Sequence, residues 1–186
     1  MSLEADRERL LELLRTLSFE RRKVVLASGK ESDFYIDCKR TALTAEGHVL
    51  VGRLLFDRVR RLAPLVRGVG GLTLGADPIA SAIAYTSFLE GAPVDSFIVR
   101  KEPKGHGTGQ WIEGRKTIPD GSRVAVLEDV VTSGGSAKKA IDRCREEGLE
   151  VVGCFALVDR LEGGREAIEA LGVKLEALYT RKDFLP

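Results

Sequence analysis

The sequence has almost no side-chain amides. It contains no Asn, and Gln110 is its single Gln. Charged residues, in contrast, make up 31% of the chain. Asn and Gln degrade readily at high temperature, whereas Glu, Lys and Arg are enriched in proteins from hot environments. The composition therefore suggests a thermophilic source.

Cysteine is scarce and long apolar runs are absent. Cys38, Cys144 and Cys154 are odd in number and have no metal-ligand spacing, which disfavours a disulfide framework and a structural zinc site. The sequence has no signal-peptide pattern and no apolar run long enough to cross a membrane. A formal net charge of +1 offers no general attraction to nucleic acid. We therefore expect a cytoplasmic protein without nucleic-acid or membrane partners.

Apolar runs that suit buried strands alternate along the chain with segments of helical periodicity. This order predicts an α/β fold, in which a parallel central sheet is flanked by helices. We expect residues 1–186 to form one domain, in which about 1–60 contribute flanking helices and a small N-terminal hood. Within them, 3–16 read as an amphipathic helix with Asp6 facing water. The predicted strands are 65–71, 95–99, 124–127, 151–158 and 173–179, and the helices between them are 44–63, 79–90, 137–147 and 163–171.

One stretch combines a buried strand, two carboxylates and a glycine-rich turn. Residues 124–127 form the strand, Glu128 and Asp129 follow, and the turn 130–136 leads into a helix. Glycine lets backbone N–H groups approach a phosphate, and the helix dipole favours the anion. The acids suit sugar hydroxyls or Mg²⁺ beside a phosphate. The local alternative is a tight turn capped by Ser, and no Lys follows the glycines as in a nucleotide-binding P-loop.

A second signature is a cationic loop that leaves the strand 95–99. Arg100, Lys101, Lys104 and His106 lie within seven positions and are followed by glycines. Such a loop could close over a ligand and stabilise the charge of departing pyrophosphate. The alternative is an ordinary solvated loop.

Two further places could contact a planar, acidic ligand. A short hairpin could act as a lid that brings Phe34 or Tyr35 over the ligand and Lys30 near its anionic groups. The alternative is a purely structural hairpin. Arg160 ends a predicted strand and could bind a carboxylate through two parallel hydrogen bonds. The alternative for Arg160 is an ion pair with Asp159.

These stretches together resemble one known family. The run Glu-Asp-Val-Val-Thr-Ser-Gly-Gly-Ser at 128–136 resembles the phosphoribosyl-pyrophosphate (PRPP) motif of type I phosphoribosyltransferases. The loop 100–107 is similar to the catalytic flap of orotate phosphoribosyltransferases, and Ser28-Gly29 to Phe34-Tyr35 resembles their orotate-side segment. The pair Asp159-Arg160 sits where that family has an orotate-contacting Arg.

The resemblance implies a type I phosphoribosyltransferase fold and a reaction. Orotate and PRPP would give orotidine 5′-monophosphate and pyrophosphate, with Mg²⁺ as cofactor, in pyrimidine biosynthesis. Mg²⁺ would be held mainly by PRPP and water near the acidic pair, without a direct protein ligand. A homodimer is also implied, in which part of the flap reaches the neighbouring site.

The resemblance assigns roles to individual residues. The catalytic residues would be Lys101, Lys104, His106 and Asp129. Orotate would be bound by Thr132, Arg160, Phe34, Tyr35 and Lys30. PRPP would be bound by Arg100, Lys101, Lys104, His106, Glu128, Asp129, Val130, Val131, Thr132, Ser133, Gly134, Gly135 and Ser136.

Two positions depart from the family pattern. Many members carry Lys where this chain has Ala27, and some carry Lys in the loop after the first core strand, where this chain has Leu74-Gly75. That loop is a candidate second anion site, with close helix-strand packing as its alternative. Two other functions share the PRPP motif: transfer to a purine or another base, and regulation by PRPP binding without catalysis.

Overall fold

The structure is a computed structural model that describes residues 2–25, 31–62, 65–103 and 109–185. A six-stranded sheet forms its centre, in the order β5-β4-β3-β6-β7-β8. All neighbouring strands are parallel except β5, which pairs antiparallel with β4. The predicted α/β fold with a mostly parallel sheet is confirmed, but the short β5 was not predicted. The strands of the sheet are β3 (Gly68–Leu72), β4 (Asp95–Val99), β5 (Ile112–Glu113), β6 (Arg123–Val131), β7 (Glu150–Asp159) and β8 (Leu175–Thr180).

Helices cover both faces of this sheet. Successive residues of β6 point into two different apolar clusters, with Ala125 and Leu127 in one, and Val124 and Val126 in the other. This alternation explains why the strand is apolar at every position. The helices α1, α3 and α4 pack on the first face, and α5 and α6 on the second. The helices are α1 (Leu3–Leu13), α2 (Lys39–Ala42), α3 (Ala45–Leu62), α4 (Ala76–Leu89), α5 (Gly135–Glu146) and α6 (Gly164–Glu169).

Three local predictions were wrong. The strand β6 does not end before the acidic pair but continues through it to Val131. Helix α4 begins at Ala76, three residues earlier than predicted. Asp6 does not face water, because it is fully buried in α1 and accepts a hydrogen bond from Arg53 Nε at 2.7 Å. A buried carboxylate is tolerated where such a cationic partner compensates its lost hydration.

The N-terminal hood consists of a two-stranded antiparallel hairpin and the short helix α2. Strand β1 (Phe19–Val25) pairs with β2 (Glu31–Ile36). The hood contacts the carboxyl ends of the central strands: Lys39 lies near Asp129 of β6, and Asp33 forms an ion pair with Arg181 just after β8. The hood thus borders the edge at which parallel α/β sheets bind ligands.

Candidate active site

The loop between β6 and α5 forms the wall of a cavity at the carboxyl edge of the sheet. The cavity has a volume of about 290 Å³ and is lined by Glu128, residues 130–136 and Lys139. Gly134 has φ +79°, and a Cβ there would lie 2.9 Å from the carbonyl oxygen of Gly164. Only glycine meets both conditions without strain. Gly134 also occupies the N-cap of α5 and no side chain caps this helix, so the predicted alternative of a Ser cap does not apply.

The N-terminus of α5 therefore faces this cavity without a capping side chain. The first N–H groups of a helix lack intrahelical partners, and the helix dipole places partial positive charge there. Thr132, Ser133 and Ser136, whose side chains carry hydroxyl groups, line the same cavity. This combination of donors suits a phosphate group.

The two carboxylates beside the loop occupy different surroundings. Glu128 lines the cavity but is only 6% exposed, and its burial, together with the nearby charge of Asp129, raises its pKa well above the ordinary value. Asp129 lies against the loop that follows β3, and its Oδ1 accepts a hydrogen bond from the N–H of Val130 at 3.0 Å. The two neighbouring carboxyl groups are thus held in different environments, Glu128 within the protein and Asp129 against the loop after β3.

Lys39 of the hood is a site residue that the sequence did not indicate. Its Nζ lies 2.6 Å from Asp37 Oδ1 and 3.7 Å from Asp129 Oδ2. Burial lowers the pKa of Lys39, but the hydrogen bond to Asp37 and the charge of Asp129 outweigh it, so the net shift is upward. The ammonium group thus stays charged beside Asp129. No spacing pattern connects residues 39 and 129, because only the docking of the hood brings them together.

Strand β3 and the loop after it pack against β6 through two glycines, Gly71 in the strand and Gly75 in the loop. A Cβ at Gly71 would lie 2.1 Å from the carbonyl oxygen of Leu127, and one at Gly75 would lie 2.4 Å from Asp129 Oδ1. The predicted alternative of close packing therefore describes this loop. At Leu74-Gly75, where the chain departs from the family pattern, a side chain at position 75 would meet the carboxylate of Asp129.

The described part of the flap borders a second cavity of about 350 Å³. Arg100 and Lys101 line it with Trp111, and Lys139 borders both cavities. The guanidinium of Arg100 contacts Glu113 at 3.1 Å, and the N–H of Arg100 donates to the carbonyl of Trp111 at 2.9 Å. The flap thus leaves the sheet next to the phosphate loop. The predicted flap residues Lys104 and His106 lie outside the described residues.

Arg160 lies at the end of β7, where the hood covers the sheet edge. It is 7% exposed, and its guanidinium contacts Glu162 at 2.9 Å, while Asp159 pairs with Arg165 at 3.1 Å. Its guanidinium carbon also lies 5.4 Å from the ring centroid of Phe34. The carboxyl end of β7 therefore presents a buried arginine that contacts the carboxylate of Glu162.

The two aromatic residues of the hairpin that the lid hypothesis named lie on opposite faces of β2. Phe34 is fully buried and packs against Phe19 and Phe184 at centroid distances of 5.1 and 5.7 Å. Tyr35, the next residue of the strand, points to the opposite face, where the guanidinium of Arg22 lies 4.0 Å from its ring centroid. The prediction that Phe34 covers a ligand is corrected: its ring supports Arg160 from the core. Lys30 lies outside the described residues.

The chemistry of this edge fits a magnesium ion that a phosphate ligand brings with it. Mg²⁺ prefers oxygen ligands and keeps several waters, and Glu128 and Asp129 provide carboxylate oxygens beside the phosphate loop. Among the described residues, no group of three or more His, Cys, Asp and Glu could enclose a metal by itself. The residues therefore fit Mg²⁺ held largely by ligand oxygens and water.

The chain matches one protein-family model and many known proteins. Residues 69–174 match the phosphoribosyl transferase domain. The orotate phosphoribosyltransferase of Sorangium cellulosum is 54% identical over 182 residues, which are 98% of this chain and 94% of that protein. The orotate phosphoribosyltransferase of Aquifex aeolicus is 48% identical over 186 residues, covering 98% of this chain and all of that protein.

Solved structures of the same kind superpose on the whole fold. The orotate phosphoribosyltransferase of Mycobacterium tuberculosis H37Rv in complex with Fe(III) dicitrate has a TM-score of 0.84 and 41% identity, covering 97% of this chain and 99% of that one. The structure of the same enzyme with PRPP has a TM-score of 0.79 and 40% identity, covering 96% and 98% of the two chains. The similarity thus includes the hood as well as the sheet.

Proposed function

Because this chain belongs to the orotate phosphoribosyltransferases of the phosphoribosyltransferase family, we propose that the cavity at the end of β6 binds PRPP and transfers its 5-phosphoribosyl group to orotate. The products are orotidine 5′-monophosphate and pyrophosphate, as in the synthesis of pyrimidine nucleotides. The observation that carries this proposal is the uncapped N-terminus of α5 behind a glycine-rich loop, with a carboxylate pair beside it.

The loop 132–136 holds the 5′-phosphate of PRPP in this proposal. Backbone N–H groups and the hydroxyls of Thr132, Ser133 and Ser136 donate to its oxygens. The carboxyl oxygens of Asp129 and Glu128 accept hydrogen bonds from the ribose hydroxyls. Val130 and Val131 fix the acids to the sheet, since Val131 is buried in the core.

The bond change needs no nucleophilic side chain. The N1 lone pair of orotate forms a bond to C1′ of the ribose while the bond from C1′ to the pyrophosphate oxygen breaks, and its electrons leave with pyrophosphate. C1′ carries positive charge in the transition state, which the adjacent carboxylate of Asp129 favours. Arg100, Lys101, Lys104 and His106 stabilise the departing pyrophosphate, so catalysis rests on positioning and electrostatics.

Orotate differs from the other bases by its carboxylate. We assign this group to Arg160, whose guanidinium can bind it through two parallel hydrogen bonds, and place Thr132 beside the base. Lys30 and Tyr35 keep their predicted roles as hairpin contacts. Phe34 acts only through Arg160.

Bound Mg²⁺ would supply charge neutralisation on the pyrophosphate oxygens of PRPP. Glu128 and Asp129 would hold its water ligands, and Lys39 Nζ lies 3.7 Å from Asp129 Oδ2.

A second copy of the chain is the proposed partner, and the dimer patch is its proposed contact. We define the dimer patch as the exposed apolar residues Val49, Tyr85, Phe88 and Leu89 of α3 and α4. These residues are 54–74% exposed, and Val49, Tyr85 and Leu89 border a groove of about 410 Å³. Arg53 and Glu90 also line the groove, so that a two-fold axis could pair opposite charges. The flap would then extend toward the neighbouring site.

We also propose a single domain and a cytoplasmic location, consistent with three free buried cysteines.

A comparison of acceptor bases tests this function. The protein is incubated with PRPP, Mg²⁺ and either orotate, adenine, hypoxanthine or guanine, and nucleotide formation is followed by chromatography. Orotidine 5′-monophosphate should form, and the purine nucleotides should not. Nucleotide formation from a purine but not from orotate would indicate another base-specific transferase, while PRPP binding without any product would indicate a regulator.

An Asp129→Asn variant should lose turnover if this carboxylate acts as assigned.

A further inference from the structure

Glu162 holds one edge of the guanidinium group of Arg160. Its Oε1 lies 3.1 Å from Nε and 2.9 Å from Nη2 of Arg160. The ring of Phe34 lies 5.4 Å from the guanidinium carbon. Arg160 is buried and Glu162 is partly buried, since their side chains are 8% and 21% exposed. The orientation of Arg160 is therefore set by a carboxylate and an aromatic ring.

An unusual turn brings Glu162 back toward Arg160. Leu161, between them, has φ +58°, a backbone conformation that is uncommon for residues with a side chain. The turn is built on Asp159, which is fully buried: its Oδ1 accepts from the N–H of Leu161 at 2.9 Å, and its Oδ2 accepts from Arg165 Nε at 3.1 Å. Residues in such conformations concentrate at sites where the geometry itself matters.

Glu162 is also linked to the hood. Arg181 Nη1 lies 3.7 Å from the same Oε1 of Glu162, and Arg181 Nη2 forms an ion pair with Asp33 of β2. The guanidinium of Arg181 lies 5.7 Å from the ring of Phe34, on which Arg160 also rests. Charges therefore alternate in the order Asp33, Arg181, Glu162, Arg160. This arrangement joins the hairpin of the hood to the end of β7.

We propose that Glu162 is a positioning residue for base recognition, which holds Arg160 in the orientation that binds the orotate carboxylate. The proposal rests on the proposed function. A guanidinium binds a carboxylate through two bonds only when the two groups are nearly coplanar, and the flexible side chain of arginine has many other rotamers. The contact with Glu162 restricts the rotamers of Arg160 before orotate binds. The entropy cost of ordering the arginine side chain therefore does not weaken the binding of orotate.

Substitutions at position 162 test this role against a matched control. Glu162→Ala should raise the KM for orotate, measured at saturating PRPP, by ~10-fold. The KM for PRPP should not change, because neither Glu162 nor Arg160 lines the phosphate cavity. Glu162→Gln should have a smaller effect, since the amide oxygen can still accept from Arg160. Glu166→Ala, at an exposed position of α6, removes the same charge and should leave both KM values unchanged. Melting temperatures of all variants report loss of fold.

A double-mutant cycle separates positioning from general damage. If Glu162 acts through Arg160, Glu162→Ala should have no further effect on orotidine 5′-monophosphate binding in the Arg160→Ala background. Calorimetry measures this binding without a need for turnover. An equal loss in both backgrounds, an unchanged orotate KM, or a joint rise in both KM values would overturn the proposal. A wild type inactive with orotate would refute the proposed function and this role together, whereas an active wild type with an unaffected Glu162→Ala variant refutes this role alone.

Discussion

Substituting Gly75 by alanine should separate the position of Asp129 from the stability of the fold. Gly75 has φ −64° and ψ −40° at the N-cap of α4, so alanine is compatible with its backbone. A Cβ there would lie 2.4 Å from Oδ1, 2.6 Å from Cγ and 2.9 Å from Oδ2 of Asp129. An ordinary contact needs about 3.4 Å or more, so the carboxylate must move by ~1 Å.

This displacement should change the stability of the fold little but should slow the reaction. A carboxylate at the end of a side chain can rotate away, and we expect the melting temperature to change little. A shift of ~1 Å in a positioned group can lower the rate by ~10²-fold, which corresponds to ~2.7 kcal/mol in the transition state. We therefore expect kcat/KM for PRPP to fall by about that factor.

Steady-state kinetics and a thermal melt on the same sample measure both effects. Gly71→Ala is the contrasting variant, because its Cβ would meet the backbone oxygen of Leu127 at 2.1 Å and should impair folding itself. Wild-type kcat/KM in a folded Gly75→Ala variant would refute the assignment of Asp129 to the ribose side of the site.

Two further predictions concern the buried acid and the dimer patch. Because burial and the charge of Asp129 raise the pKa of Glu128, the folded chain holds this proton more tightly than the unfolded chain. The free energy of unfolding of the wild type should therefore fall relative to that of a Glu128→Gln variant as pH rises above the ordinary carboxyl pKa. Denaturant titrations of both proteins at about pH 5 and pH 9 measure this difference. An equal difference at the two pH values would contradict the raised pKa of Glu128. Phe88→Asp should convert a dimer to a monomer in native mass spectrometry, whereas Leu65→Asp, which is 71% exposed outside the patch, should not; an intact Phe88→Asp dimer would place the interface elsewhere.

Local patterns in the sequence predicted the sheet and the phosphate loop. Strands buried on both faces are apolar at every position, and Gly134 supplies the left-handed conformation that the turn into α5 needs. These features depend on neighbours in the chain. The motif at 128–136 therefore led directly to the cavity, although the end of β6 was placed too early.

Local sequence patterns did not predict the contacts between distant segments of the chain. Lys39 reaches Asp129 only because the hood docks on the sheet edge, and Asp6 is buried only because Arg53 of α3 meets it. Phe34 looked like a ligand contact, since an aromatic residue in a polar hairpin is equally suited to core and ligand. Its partners Phe19 and Phe184, which decide the matter, come from both ends of the chain.

The ultraviolet absorbance of orotate tests the central claim most directly. Orotate, PRPP and Mg²⁺ are mixed with the protein, and the absorbance of orotate is followed with single components omitted. A decrease that requires both PRPP and Mg²⁺ is the predicted result, because the base is consumed only when the activated ribose and its metal are bound. Unchanged absorbance with the complete mixture, while PRPP binding is still measurable, would contradict the assignment of orotate as the acceptor.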